Sequence, residues 1–343
     1  MQKQQVAQKD DTRHHDGPYF DDLAVNQVID PGPDITIGPG EAAVYQSICG
    51  DPLATSLSQP LAEAVTGRAG ALVNPALVLH VSIGQSTVAT RNVIANLFYR
   101  GVALHRPVRI GETLRSTVTI LGLRELSRRN DRPARGLALL GIRTDCVDDD
   151  SIVVDYERCA MLRFRNPDCS TGHNDDLGQA VTNTDLTDWT KFIPTDWDLR
   201  PLRTAATILP DWKVGAQITD PLRDTVTSAP ELARLTQNLA PVHRDPLLGL
   251  EGRRLVYGGH TIGLAQASVA RLLPDTATVL GWQSCSHPAP VFENDVLSFQ
   301  HTLLGEYSSS GGRLRAIQVE VDAERVNQVT EQVLDLRVVT WGA

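Results

Sequence analysis

The chain has 343 residues, 41% of them hydrophobic, which predicts about two domains with ample apolar content for packed cores. Its formal charge of −9, from 32 Lys and Arg against 41 Asp and Glu, argues against a nucleic-acid binder, because phosphate contacts need clustered basic groups. The five cysteines, Cys49, Cys146, Cys159, Cys169 and Cys285, are scattered with no C-x-x-C pair, so neither a disulfide framework nor a zinc site is expected and a reducing cytoplasm fits best.

Residues 1–18 read as a disordered, solvated tail. The opening MQKQQVAQKDDTRHHDG lacks the apolar core of a signal peptide, and metal binding by His14 and His15 would lack a preformed site there. No apolar run approaches the ~20 residues that span a bilayer, so no membrane partner is expected. A first unit is expected over 19–166. Within it, GPGEAA at 38–43 has the outline of a dinucleotide fingerprint, but the proline and the missing βαβ context make it a helix-start turn. Asn74 and Pro75 suit the start of a helix, and the following ALVLHVSI is apolar nearly all round and should be buried. Ser86, in IGQSTVA, lacks the second glycine of a nucleophile elbow. Three strand-like runs follow: TLRSTVTILG, GLALLGIRTD and IVVDYERCAMLRF, separated by NDRP and DDD.

Residues 167–207 are polar and rich in Pro, Asp and Thr, and read as a linker to a second unit over 208–343. That unit repeats the order of the first. HTIGLAQASVARLL carries Gly263, Ala265, Ala267 and Ala270, small residues that let a helix pack closely, and then come VLSFQHTLLG, RLRAIQVEVD and QVLDLRVVTW. A shift of 183 positions lays Leu72-Val73 on Leu255-Val256, Pro107-Val108 on Pro290-Val291 and Leu121-Gly122 on Leu304-Gly305 without a gap. The chain therefore reads as a tandem repeat, two sheets each wrapping one long helix.

With PVHRDP followed by a glycine pair opening a helix, this twofold pattern resembles the MaoC-like hydratase/dehydratase family, whose fold is the double hot dog, an α+β architecture of two antiparallel sheets each around a central helix. The likeness runs from about Tyr19 to Trp341, and FDDLAVNQVI and DWKVGAQITD are similar to the strand that opens each unit of that family. A narrower likeness, to members acting on mesaconyl-type thioesters, is carried by LTQNLAPVH (235–243), GRRLVYGGHTIGLA (252–265) and IANLFYRG (94–101). Most members have Asp five residues before the His and Asn-Pro just before it; here those positions hold Asn238, Ala240 and Pro241. The narrower group shares the Asn but has Arg where this chain has Pro241.

The resemblance implies reversible hydration of an enoyl-CoA thioester, with a short branched dicarboxylate such as mesaconyl as the leading acyl group. Water must lose a proton as it attacks the β-carbon, the α-carbon must gain one, and the thioester oxygen must carry negative charge. His243 suits the acid/base role, since its ordinary pKa of ~6.5 lets it take and return a proton; as a lone histidine it would otherwise be a capped or core residue. Asn238 would hold the water and the His by hydrogen bonds, or merely end a helix. Gly259 would offer a free backbone N–H to the thioester oxygen, with Gly258 beside it in the turn and Tyr257 and His260 flanking. Arg253 and Arg254, and behind them Arg100 and Arg244, could meet a phosphate or a distal carboxylate.

In the first unit Asp51 is followed five residues on by Ser56, and Asn74-Pro75 replaces the glycine pair, so that half is expected to have given up chemistry and to accommodate the acyl or pantetheine arm. No metal and no redox cofactor are expected, coenzyme A entering only as part of the substrate. A homodimer is allowed by the edge pairing seen in the resembling family. A hot dog thioesterase and a non-catalytic acyl-CoA binder are the competing readings.

Overall fold

Pro75 cannot donate a backbone hydrogen bond and Asn74 supplies its side-chain oxygen to the Ala76 N–H at 2.8 Å, so a helix begins where the sequence places it. The computed structural model describes residues 16–129, 132–180, 184–205, 212–309, 311–325 and 329–343. Most of the expected tail, 1–15, lies outside them. The first half contains β1 (Val28–Ile29), β2 (Ile35–Thr36), α1 (Pro39–Cys49), α2 (Ala54–Leu57), α3 (Gln59–Thr66), α4 (Pro75–Gln85), β3 (Val93–Leu104), β4 (Thr113–Glu125), β5 (Arg135–Cys146) and β6 (Ile152–Arg163). After α5 (Arg200–Ala205) come β7 (Gln217–Thr219), β8 (Asp224–Thr225), α6 (Ala229–Leu235), α7 (Gly258–Leu272), β9 (Thr276–Ser286), β10 (Val296–Ser309), β11 (Gly312–Glu324) and β12 (Thr330–Gly342).

The 183-residue offset carries the start of α4 onto α7, of β3 onto β9 and of β4 onto β10. Each half thus has four long strands, one more than the three read from sequence. The unread strands are β3 and β9; β9 lacks a polar alternation because both faces of the sheet are covered there, and β3 is mostly half-buried, with residues 93–96 lining a cavity. A second correction concerns the sheets. The described strands form one antiparallel sheet in the order β1-β4-β5-β6-β3-β9-β12-β11-β10-β7, with β2 on β4 and β8 on β10. The two halves join edge to edge, β3 against β9, through pairs such as Tyr99 with Cys285 and Val102 with Trp282.

On one face lie α4 and α7, packed against each other and the strands in the main core. Every residue of α4 is buried, as its all-round apolar sequence requires, and burying each of Leu77, Leu79 and Ile83 contributes about 1.5–3 kcal/mol. The opposite face is covered by the segment read as a polar linker. There Leu186, Trp189, Ile193, Leu199 and Leu202 bury themselves on Leu280, Leu314, Val339 and Trp341. Polar residues between these anchors disguised the pattern.

At the seam, Gly281 adopts φ +147° and a Cβ there would stand 1.8 Å from the Val102 carbonyl oxygen, so only glycine lets β9 follow β3. Gly281→Ala is expected to cost at least ~2 kcal/mol through the clash and the strained backbone, read as a lowered urea midpoint; an unchanged midpoint would mean the seam tolerates separation.

Candidate active site

Gln237, at φ +55°, turns the chain after α6, and the Asn238 N–H donates to the Ala233 carbonyl at 2.9 Å. Asn238 is 2% exposed and its Oδ1 accepts the Ala240 N–H at 3.0 Å, which sets the direction of the Pro241–His243 turn. Pro241 itself is exposed, so its departure from the resembling pattern falls on the surface.

The half-buried His243 is clamped by main chain. The Leu255 N–H donates to the Val242 carbonyl at 3.1 Å, and the Leu255 carbonyl lies 2.9 Å from His243 Nδ1. A carbonyl can only accept, so Nδ1 carries the proton and Nε2 is left with its lone pair. Burial lowers the His243 pKa to about 4, against the upward pull of the Leu255 carbonyl and with a further push down from Arg244. The ring is therefore neutral near pH 7 and equipped to accept a proton.

Its surroundings form a cavity of about 370 Å³ between the two halves. The second half contributes Asn238, His243, Tyr257, Gly258 and Thr261, together with the 287–291 loop. From the first half come Thr87, Thr90, residues 93–96, Tyr99, Arg158 and Arg163. No Asp or Glu is among the described residues of this wall. Tyr257 stands 5.7 Å from the His243 ring, centroid to centroid, and its hydroxyl donates to the His80 carbonyl at 3.4 Å.

The glycine pair is explained by close approach, and the assignment of the two is reversed. Gly258 lies in the cavity wall, where a Cβ would come within 2.8 Å of His287 Nε2; Gly259 is buried and outside the wall, and its missing Cβ leaves room for the Tyr257 ring, 2.6 Å away. Gly258 opens α7, no side chain caps that terminus, and its N–H has no intrahelical partner. The first residue of a 15-residue helix thus stands in the cavity wall together with His243.

Other expectations are corrected. His260 is 1% exposed and outside the wall. Arg254 is engaged by Glu293 and by the Arg244 carbonyl, and Arg253 lies 3.8 Å from Asp295 with its guanidinium over Phe292. Neither lines the cavity. Arg100 is held by Glu157 and by the Leu177 and Gln179 carbonyls, and Arg244 reaches the Ala233 carbonyl. His287 and Arg158 line the cavity and were missed. Arg158 had a readable signal, standing in phase with buried Val154, Tyr156, Ala160 and Leu162 along β6.

The equivalent place in the first half is closed. Ser56, Val73, Pro75 and Val108 there surround only about 20 Å³, room for about one water. Among the described residues no three His, Cys, Asp or Glu side chains gather as metal ligands would. No helix among them is long and apolar enough to cross a membrane.

Five histidines, three of them buried and two, His243 and His287, half-buried, have depressed pKa values: His80 about 3, and His243, His260, His287 and His301 about 4, each chiefly through loss of contact with water. Between these values and the ~6.5 of an unfolded chain, the unfolded state binds more protons, so stability is fully present above pH ~6.5 and declines as pH falls toward 4. The urea midpoint is expected to be lower at pH 5 than at pH 7.5, and an equal or higher one would show these rings charged when folded.

No protein-family model matches the chain. It is 29% identical over 322 residues to the β-methylmalyl-CoA dehydratase of Chloroflexus aurantiacus (91% of this chain, 88% of that protein). Over 317 residues it is 28% identical to the mesaconyl-CoA hydratase of Cereibacter sphaeroides (90% and 89%). Among solved structures, a conserved hypothetical protein of Mycobacterium tuberculosis with a double hot dog fold is 41% identical, covering 94% of this chain and 98% of its own, with a TM-score of 0.84. A MaoC domain protein of Chloroflexus aurantiacus is 25% identical, covering 95% and 97%, with a TM-score of 0.78.

Proposed function

Because the chain belongs to the MaoC-like hydratase/dehydratase family of double hot dog proteins, we propose that it reversibly adds water to an enoyl-CoA thioester, the acyl group being a short branched dicarboxylate of the mesaconyl/β-methylmalyl type. The observation that carries this reading is the shared cavity: a neutral imidazole with a free Nε2 and the uncapped start of α7 meet in one space large enough for an acyl group.

In the hydration direction His243 Nε2 takes a proton from water as its oxygen bonds to the β-carbon. The π electrons move to the thioester, whose oxygen becomes an enolate oxygen accepting the Gly258 N–H. His243 then returns the proton to the α-carbon, so water is consumed whole and nothing is oxidised or reduced. Asn238, its oxygen occupied by Ala240, keeps its NH₂ to position the water. As an amide it cannot take the proton, which leaves both transfers to His243. The relatives' names support a coenzyme A thioester as partner, and coenzyme A leaves still attached to the product.

Hydrolysis of the thioester would instead release a thiol. The two are separated by following the enoyl absorbance of mesaconyl-CoA together with free thiol: loss of absorbance without thiol is expected. His243→Gln should lower kcat by about 10²–10⁴ while binding of an unreactive saturated thioester changes less than about threefold. Undiminished turnover in that variant, or thiol appearing in step with substrate loss, would overturn the assignment.

A further inference from the structure

Arg158 is a charged side chain only 4% exposed, in the wall of the same cavity. What holds it is neutral: one Nη2 contact goes to Thr90 Oγ1 at 2.6 Å and another to the Ser86 carbonyl at 3.2 Å, at the C-terminal end of α4. Its Nε is buried without a hydrogen-bond partner, and among the described residues no carboxylate forms an ion pair with it. Close by in the wall, Asn96 has both side-chain amide atoms buried and unpartnered. A guanidinium out of water demands a counter-charge, and the partial negative charge of a helix end supplies only part of one. The other cation in the wall, Arg163, is exposed and screened by solvent.

The repeat supplies an internal control. Tyr99 pairs with Arg158 across β3 and β6, and the residue 183 positions on, Trp282, pairs with Val338 across β9 and β12. The same offset turns Ser86 and Thr90 into Val269 and Leu273. A polar cluster therefore stands against the open cavity, while the matching positions of the second half are apolar.

We propose that Arg158, held by Thr90 and assisted by Asn96, is the seat for a carboxylate at the far end of the acyl chain, so that the protein selects monothioesters of dicarboxylic acids. The inference rests on the acyl-thioester reading of the cavity given above and names the residue that recognises the substrate's second charge. A guanidinium offers paired N–H donors that fit a carboxylate side-on, a geometry an ammonium cannot reproduce.

The test compares two unreactive thioesters of equal chain length, succinyl-CoA with its terminal carboxylate and butyryl-CoA with a methyl group in its place, by equilibrium binding to the full chain. The native protein is expected to bind succinyl-CoA at least ~10-fold tighter, and Arg158→Met to bring the two within about threefold. Arg158→Lys should recover only part of the preference. If the Met variant does not fold, Thr90→Val, which removes the hydroxyl that holds the guanidinium, should still narrow the preference. Equal affinities in the native protein, or a variant that weakens both ligands alike, would make Arg158 a structural cap on α4 and overturn the proposal. Failure of the hydratase reading is a separate result: preference for succinyl-CoA without turnover of mesaconyl-CoA would leave the carboxylate seat standing and remove hydration.

Discussion

The antiparallel pairing of β3 with β9 is the constraint on which the molecule depends. It turns two half-sheets into one surface, sets α4 beside α7 on a common face, and brings β3 and β6 of the first half against the His243 turn of the second. Neither half alone contains the cavity. Because backbone hydrogen bonds and a glycine at the tightest point fix this seam, the distance between the His243 turn and the opposite wall is set by main chain, which deforms least.

Within that frame the two halves differ most where a helix begins. Asn74 caps α4 and Pro75 has no N–H to offer, so the first helix start is satisfied internally and the space around it is nearly filled. Tyr257 does not cap α7, and Gly258 stands in the wall of the open cavity. A few residues at matching positions thus decide whether a helix terminus completes the core or lines a cavity. The neutral His243 fits the same logic, since desolvation keeps the ring uncharged while the Leu255 carbonyl selects the tautomer.

Much of this was legible in the chain. Repeat spacing placed both buried helices and six strands, because alternation and capping are local signals. Asn238, His243 and the glycine pair were found as a group through their clustering in one loop and the family likeness. What escaped was whatever depended on the opposite half. The strand β9 lacked alternation because linker residues such as Trp189 cover its far side, and β3 because it lines the cavity with half-buried residues. Which glycine faces the cavity depended on where the Tyr257 and His287 rings lie, and the arginines picked by proximity in sequence turned out to be engaged by Glu293, Asp295 and Phe292. Arg158 lies far along the chain from His243, and only the fold brings the two to one wall.

The closed counterpart around Ser56 has an evolutionary consequence. A single unit that paired with an identical copy would be bound by symmetry, and any buried cation introduced into one cleft would be duplicated in the other, at twice the desolvation cost. Joining both copies in one polypeptide lifts that obligation. Specialisation of one cleft then needs only point substitutions there, with no matching change imposed on its twin.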